Sequence, residues 1–360
     1  MSPEAVYENR LESLSLLSGV MCRQKYTANT YSGDVCATDR TRSSELYMFG
    51  QVSGNLRKLS CVAGAGVSNA YFSQGSVTHR FWLFRPKLTL LYPLTARLRL
   101  SYGFEVSQHI SGIARTSTVA VRINSMEVSA GNPELRPNSR TEHTLRLAYD
   151  APRLAAALRV FYRQNDNCNM AKYVRRTDSG GNTTFVYTQT NQDGCDMLAV
   201  AGNLRCDLVP GKLTLGCAGG VYRFFNIGDD YRHFYTAFSG SVSLTAHLGW
   251  LSLSAYADNG WHWMEGETRG HNGSSVYLSA TCRAGRLALS LYWRQPLQGN
   301  AMTHKAETMS RYVGKTQEMR SRDFSNMVSL SVSWTLQKGR KYRNGERKIS
   351  HSDTDSGIVR

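Results

Sequence analysis

The chain has 360 residues, 41% of them hydrophobic, with a mean hydropathy of −0.38, and no run approaches the roughly 18 apolar residues that a transmembrane helix needs. That excludes a helical membrane span but not a membrane barrel, whose strands turn only every second residue towards lipid. The charge of +16, from 43 Lys+Arg against 27 Asp+Glu, could suggest nucleic acid, but the basic residues are dispersed singly along the chain rather than gathered on one stripe, so no nucleic-acid partner is expected.

The start, Met1 to Glu8, shows neither a basic n-region nor an apolar h-region, so an outer-membrane protein beginning here would be a truncated chain lacking its signal peptide. Residues 1–43 give a weak strand at Leu11–Met21 and a polar loop. From residue 44 a two-residue period takes over. Leu46, Met48 and Val52 alternate with Tyr47, Phe49 and Gln51; a turn is expected at Ser53-Gly54-Asn55; the return carries Leu59, Cys61, Ala63, Ala65 and Val67. After Phe81–Tyr92 and a turn at Pro93, Ala96, Leu98, Leu100, Tyr102 and Phe104 face one way, and Arg97, Arg99, Ser101, Gly103 and Glu105 the other. Such charges cannot lie unpaired in a dry core, so that second face meets water.

Gly131-Asn132-Pro133-Glu134-Leu135-Arg136-Pro137 cannot be helix, because each proline pushes its predecessor into extended geometry. Thr141–Tyr149 alternates, Asp150-Ala151-Pro152 reverses the chain, and Arg153–Arg163 alternates again, with Leu154, Ala156, Leu158, Val160 and Tyr162 on one face. Thr184–Leu208 forms one long strand with a bulge expected at Asp193-Gly194, and Lys212–Phe225, Phe234–Leu248, Trp250–Asp258, Ser274–Arg283, Arg286–Arg294 and Phe324–Leu336 follow.

Short turns near residues 54, 93, 151, 210, 249 and 284 alternate with long polar loops near 25–43, 70–79, 107–138, 165–182, 226–233, 259–272 and 295–322. Membrane barrels show this asymmetry of short periplasmic turns and long outer loops, with aromatic girdles at the interfaces; Tyr92, Tyr102, Tyr149, Tyr162, Trp293 and Trp334 end the apolar rows in this way. The expected fold is all-β, a transmembrane antiparallel β-barrel of the bacterial outer membrane. About 14 strands are expected, the barrel proper covers 44–336 in contact with outer-membrane lipid, and a basic tail, 337–360, lies on the periplasmic side.

Gly131, Asn132, Pro133, Leu135, Arg136 and Pro137, with Glu142 in the next strand, resemble the GNPxLKPE…E signature in the barrel of TonB-dependent outer-membrane receptors. The ending, with Leu330 to Trp334, the basic Lys338-Gly339-Arg340-Lys341 and Ser356-Gly357-Ile358, resembles the outer-membrane β-barrel family of Bacteroides-type bacteria. Arg136 stands where Lys is usual, Asn138 where an acid is usual, and Trp334 where Phe is usual. The resemblance covers about residue 44 onward and implies a barrel of 22 strands, a plug domain preceding it, TonB as energising partner, and uptake of a small-molecule, glycan or peptide ligand. No plug precedes residue 44, which makes this chain a partial barrel in that reading.

Arg97, Arg99, Glu105, Arg146, Arg159 and Arg163 are candidates for the water-filled lumen, where guanidinium groups attract anions. Trp261, His262, Trp263 and Glu265 are candidates for ligand contact from an outer loop. No residue is assigned to catalysis, to a metal or to a cofactor, since no GxSxG, P-loop, HExxH or EF-hand spacing occurs. Eight cysteines show no zinc-like spacing, and Cys22 with Cys36, or Cys168 with Cys195, are alternative disulfides. Two competing functions remain: a self-contained passive channel of about 14 strands, and a soluble β-rich binding protein.

Overall fold

The computed structural model describes residues 3–336 except 12, 33–35, 111–112, 118 and 178. In chain order the first elements are β1 (Glu4–Arg10), β2 (Leu14–Tyr31), β3 (Ala37–Leu56), β4 (Leu59–Gln74), β5 (Val77–Pro93), β6 (Leu98–His109), the helical turn α1 (Ile113–Thr116), β7 (Ala120–Arg122) and β8 (Glu127–Ala130). There follow β9 (Asn138–Ala151), β10 (Leu154–Thr177), β11 (Thr183–Val209), β12 (Leu213–Ile227), β13 (Arg232–Leu248) and β14 (Leu251–Asp258). The last are β15 (His262–Glu265), β16 (Thr268–Asn272), β17 (Val276–Ala284), β18 (Leu287–Arg294), β19 (Ala301–Met309), β20 (Gly314–Ser321) and β21 (Met327–Trp334).

All but four of the strands belong to a 17-stranded sheet; β15, β16, β19 and β20 make a second sheet of their own. The wall of the large sheet is an antiparallel meander. It runs from β1 through β6, passes to β9 and on to β14, and ends through β17, β18 and β21. The 14 strands expected from the sequence correspond to β2 onward in this wall, and β1 adds one more. Short β7 and β8 fold back over the wall, β8 lying parallel to β11 with Glu127 opposite Phe185.

The two-residue period separates the faces. Large apolar side chains stand exposed on one face of the wall, among them Leu158, Val200, Val242, Leu244, Leu291 and Leu330. In register with them are like residues on neighbouring strands, such as Leu147 opposite Leu158 and Leu215 opposite Leu244. The other face carries Arg146 opposite Ser101 and Arg159, and Thr245 opposite Ser254. An apolar face of this extent would not stay exposed to water; it matches the lipid-facing band of a membrane barrel.

Several boundaries differ from the sequence reading. The loops expected near 25–43, 70–79 and 165–182 are largely strand. β4 and β5 meet in a tight turn at Gly75, and β10 and β11, of 24 and 27 residues, run far past the 9–11 residues that cross a bilayer. Outside lipid both faces of a hairpin are wet, so hydrogen bonding continues without the alternation that marks a strand in sequence. The first short turn lies at Arg57-Lys58, Arg57 taking φ 55°, not at Ser53-Gly54-Asn55. At the bulge expected at Asp193-Gly194 the β10–β11 pairing is interrupted, passing over Asp193, Cys195 and Asp196, but the register does not shift; a shift occurs instead between Asp207 and Val209 against β12. The basic stretch Lys338–Arg343 and Ser356-Gly357-Ile358 lie outside the described residues.

Candidate functional site

The elbow before β9 is held at the long-loop end of the wall by bonds to three separate segments, α1, β5 and β11. Asn132 donates its backbone N–H to the Arg115 carbonyl at 2.8 Å and its amide to the Gln189 carbonyl at 3.1 Å. Its side-chain oxygen accepts from the Glu134 N–H at 3.0 Å, making the local turn. His79 reaches the Pro133 carbonyl at 3.1 Å from β5. Leu135 is buried, the anchor between the two prolines. Arg136, whose neighbour Pro137 can donate nothing, pairs with the side chain of Asn191: its N–H donates to Asn191 Oδ1 at 2.8 Å and its carbonyl accepts from Nδ2 at 3.1 Å. Asn191 thus stands in for a strand, and it also reaches Asn167 and Asn169 of β10. Gly131 lies against the backbone of Ser117, whose hydroxyl donates to the buried Asp39 carboxylate at 2.7 Å; Gln74 donates to the same carboxylate at 2.6 Å.

Below the elbow, the polar face carries the charged candidates. Glu142 accepts from Arg140 at 2.7 Å and from Arg163 at 3.0 Å, all three side chains about one-third exposed. Glu105 sits opposite Glu142 across the β6–β9 pairing and faces Lys87 at 3.6 Å, and these residues line a cavity of about 350 Å³. Arg99 meets Asp150 at 3.5 Å near the short-turn end. Arg146 and Arg159 stand directly opposite each other, a repulsive pair, and Arg159 stacks over the Phe161 ring at 4.6 Å. Arg97 lies in the turn that precedes β6, not on the strand; its carbonyl accepts from the Asp150 N–H. Substituting Glu142→Ala leaves two half-buried guanidinium groups without their shared acceptor and is expected to cost about 1–3 kcal/mol. Glu105→Ala, at a solvent-exposed pair, should change little. Urea titration of folding into lipid vesicles distinguishes them.

The third feature is a hairpin folded onto the polar face. Phe161, Met197, Ala199, Phe224 and Ala237 form an apolar patch on that face of β10–β13, and Met264 of β15 completes the buried cluster, with Trp263 packed against it. Trp261 meets the Tyr222 ring edge-on at 4.6 Å. His262 stacks on His271, 4.8 Å between centroids, on the second sheet. Glu265 is exposed. Of the four outer-loop candidates, then, the two tryptophans serve to dock the hairpin. Gly266 at its tip donates its N–H to Asn226 at 3.1 Å. Burial pushes the adjacent Glu267 carboxyl above its ordinary range, and the Asp230 charge adds to this. The docked state therefore binds a proton more readily than the released one. Docking is expected to be tightest near or below the ordinary value of 4.5 and to weaken as pH rises through the raised one. Amide exchange of residues 262–272, corrected for intrinsic rate, should be slower at about pH 5 than at about pH 8, and Glu267→Gln should abolish the difference.

No protein-family model matches the chain, and no curated sequence matches it. Solved structures do. The copper transporter OprC superposes over 89% of this chain and 54% of its own length, with a TM-score of 0.65 at 10% identity. The siderophore receptor PirA from Acinetobacter baumannii gives 93%, 54%, 0.61 and 9% in the same order. The FrpB iron transporter from Neisseria meningitidis (F3-3 variant) gives 91%, 54%, 0.58 and 10%. The fold is that of an outer-membrane β-barrel. The chain spans about half the length of the solved structures it matches. In a barrel of this fold the polar face described above corresponds to the lumenal side, and hairpin β15–β16 lies against that face.

Sequence reasoning singled out neither Asn191, Ser117 nor Asp39. Asp39 and Ser117 fall in expected polar loops, which carry no period, and Asn191 is one of several polar residues in the expected strand Thr184–Leu208. Phe161, Met197 and Phe224, however, are apolar at positions of a polar row, and that break in the pattern marks where something covers the wall.

Proposed function

We propose that this chain forms the barrel wall of a TonB-dependent receptor of the bacterial outer membrane, taking up a ligand that enters from the long-loop end. The observation that carries this reading is the combination of an exposed apolar band on one face with the residue 131–142 motif at the long-loop end of the other. In this reading the wall belongs to a 22-stranded barrel of the Bacteroides-type branch. A plug domain and its contact with TonB come from the remainder of a longer protein, the long loops lie outside the cell, and the C-terminus is periplasmic. The copper, siderophore and iron carriers it resembles in fold support uptake as the role. Among small-molecule, glycan and peptide cargoes, the arginines on the lumenal face of β9 and β10 favour an anionic small molecule.

The passive-channel reading meets an obstacle in hairpin β15–β16, which occupies lumenal wall that an open pore would leave to water. Fractionation with heat-modifiable gel migration tests the barrel. It is expected to stay with the outer membrane through high-salt washing and to need detergent for release; release by salt alone would sink the reading. Planar-bilayer recording separates receptor from channel. The receptor reading expects no steady current, while large, constant single-channel steps would favour the channel.

A further inference from the structure

Asn167 takes a left-handed conformation, φ 54°, within β10. Asp166 and Asn167 are both exposed, and directly after them Cys168, Asn169 and Met170 are all buried. Asn165 ties Cys168 and Cys195 together. Its amide donates to the Cys195 carbonyl, its N–H donates to the Asp196 carboxylate at 3.0 Å, and its own carbonyl accepts from the Cys168 thiol at 3.0 Å. The side chains of Cys168 and Cys195 are in hydrogen-bond contact, and Cys168 has no exposed surface. That contact, with burial, pushes the Cys168 thiol up. The alternative pair is held apart. Cys22 lies opposite Leu46, while Cys36 precedes the start of β3, roughly 30 Å away at the rise of a strand. A disulfide needs Cα atoms within about 7 Å.

We propose that Cys168 and Cys195 are the site of a disulfide, formed in the cell envelope by a disulfide-bearing oxidoreductase; the oxidising compartment rests on the outer-membrane reading above. The partly exposed Cys195 thiolate attacks the oxidant's disulfide, giving a mixed disulfide and releasing one thiolate of the oxidant. Cys168 then attacks the Cys195 sulfur, closing the Cys168–Cys195 bond and expelling the second. Two protons and two electrons leave the pair, and the oxidant departs as a dithiol. The bridge would brace the spot where Met170 and Tyr231 receive Gly266, at the tip of the lumenal hairpin.

The test is a thiol count on full-length protein from the washed outer-membrane fraction, denatured and alkylated before and after reduction. Of eight cysteines, two should accept label only after reduction, and the unreduced digest should contain one cross-linked species joining the peptides of Cys168 and Cys195. Equal labelling before and after, or a bridge between other cysteines, overturns the proposal. Absence of the protein from that fraction is a separate result and counts against the outer-membrane reading instead. The double variant Cys168→Ser, Cys195→Ser should exchange its 165–172 amides about tenfold faster than the oxidised wild type; unchanged exchange would overturn the bracing role.

Discussion

Leu244→Arg is expected to cost about 2–4 kcal/mol of folding free energy in lipid, while Ser243→Arg, one residue earlier, is expected to be tolerated. Leu244 sits in the middle of the apolar row of β13, between Val242 and Ala246, and projects from the face that meets hydrocarbon. A guanidinium there must be desolvated, must snorkel, or must draw water into the bilayer, and each course costs free energy. Ser243 projects into the lumen opposite Gly216, which leaves room for a long hydrated side chain. Urea titrations of each variant in vesicles would measure the pair, with heat-modifiable migration reporting the folded fraction. Equal losses at both positions would mean that the two faces are not lipid and water.

Gly131→Ala is expected to release the elbow without unfolding the wall. A Cβ at this position would lie 2.5 Å from the Ser117 carbonyl oxygen, 2.6 Å from its nitrogen and 2.8 Å from the Arg115 carbonyl oxygen. All three are backbone atoms and none can rotate away. Overpacking of this kind costs about 1–3 kcal/mol. The chain can escape it only by separating 131–137 from 115–117, which gives up the Asn132 to Arg115 bond and loosens the contact of Ser117 with Asp39. Amide exchange and limited proteolysis should show residues 113–137 losing protection, with the β9–β14 amides unchanged. Retained protection at 113–137 would show that the close approach is not needed.

The wall was legible in the sequence wherever lipid enforces a period. Leu98–Phe104 and Phe238–Leu248 are assigned to the right faces because one side of each strand meets hydrocarbon and the other water. The far end of β10 was not legible, and for the same reason: beyond lipid, Asn165–Thr177 pairs with Thr183–Asp196 under no face constraint, although the strand over Thr184–Leu208 itself was expected. The elbow was visible through its two prolines, and the Glu142 knot through its charges. The elbow's partners lie up to 57 residues away, and nothing in the strand over Thr184–Leu208 marks Gln189 and Asn191 as the ones that meet it. Trp261 and Trp263 were conspicuous as a cluster, but composition cannot tell a binding surface from a docking one. The Phe161 and Phe224 patch on the polar face decides for docking.

The wall and its covering differ in the time at which they can form. Consecutive wall strands, joined by turns as short as Arg57-Lys58, need little loop-closure entropy and can zip in chain order. Glu127 belongs to a different regime. β8 can lie along β11 only when both are in place, and Glu127 then accepts from Tyr173 at 2.9 Å and from Lys315, 188 residues along the chain, at 3.3 Å. These contacts report on completion. A chain stalled in assembly would carry a finished wall with Glu127 still in water, so protection of residues 127–129 is expected as the last kinetic phase of folding.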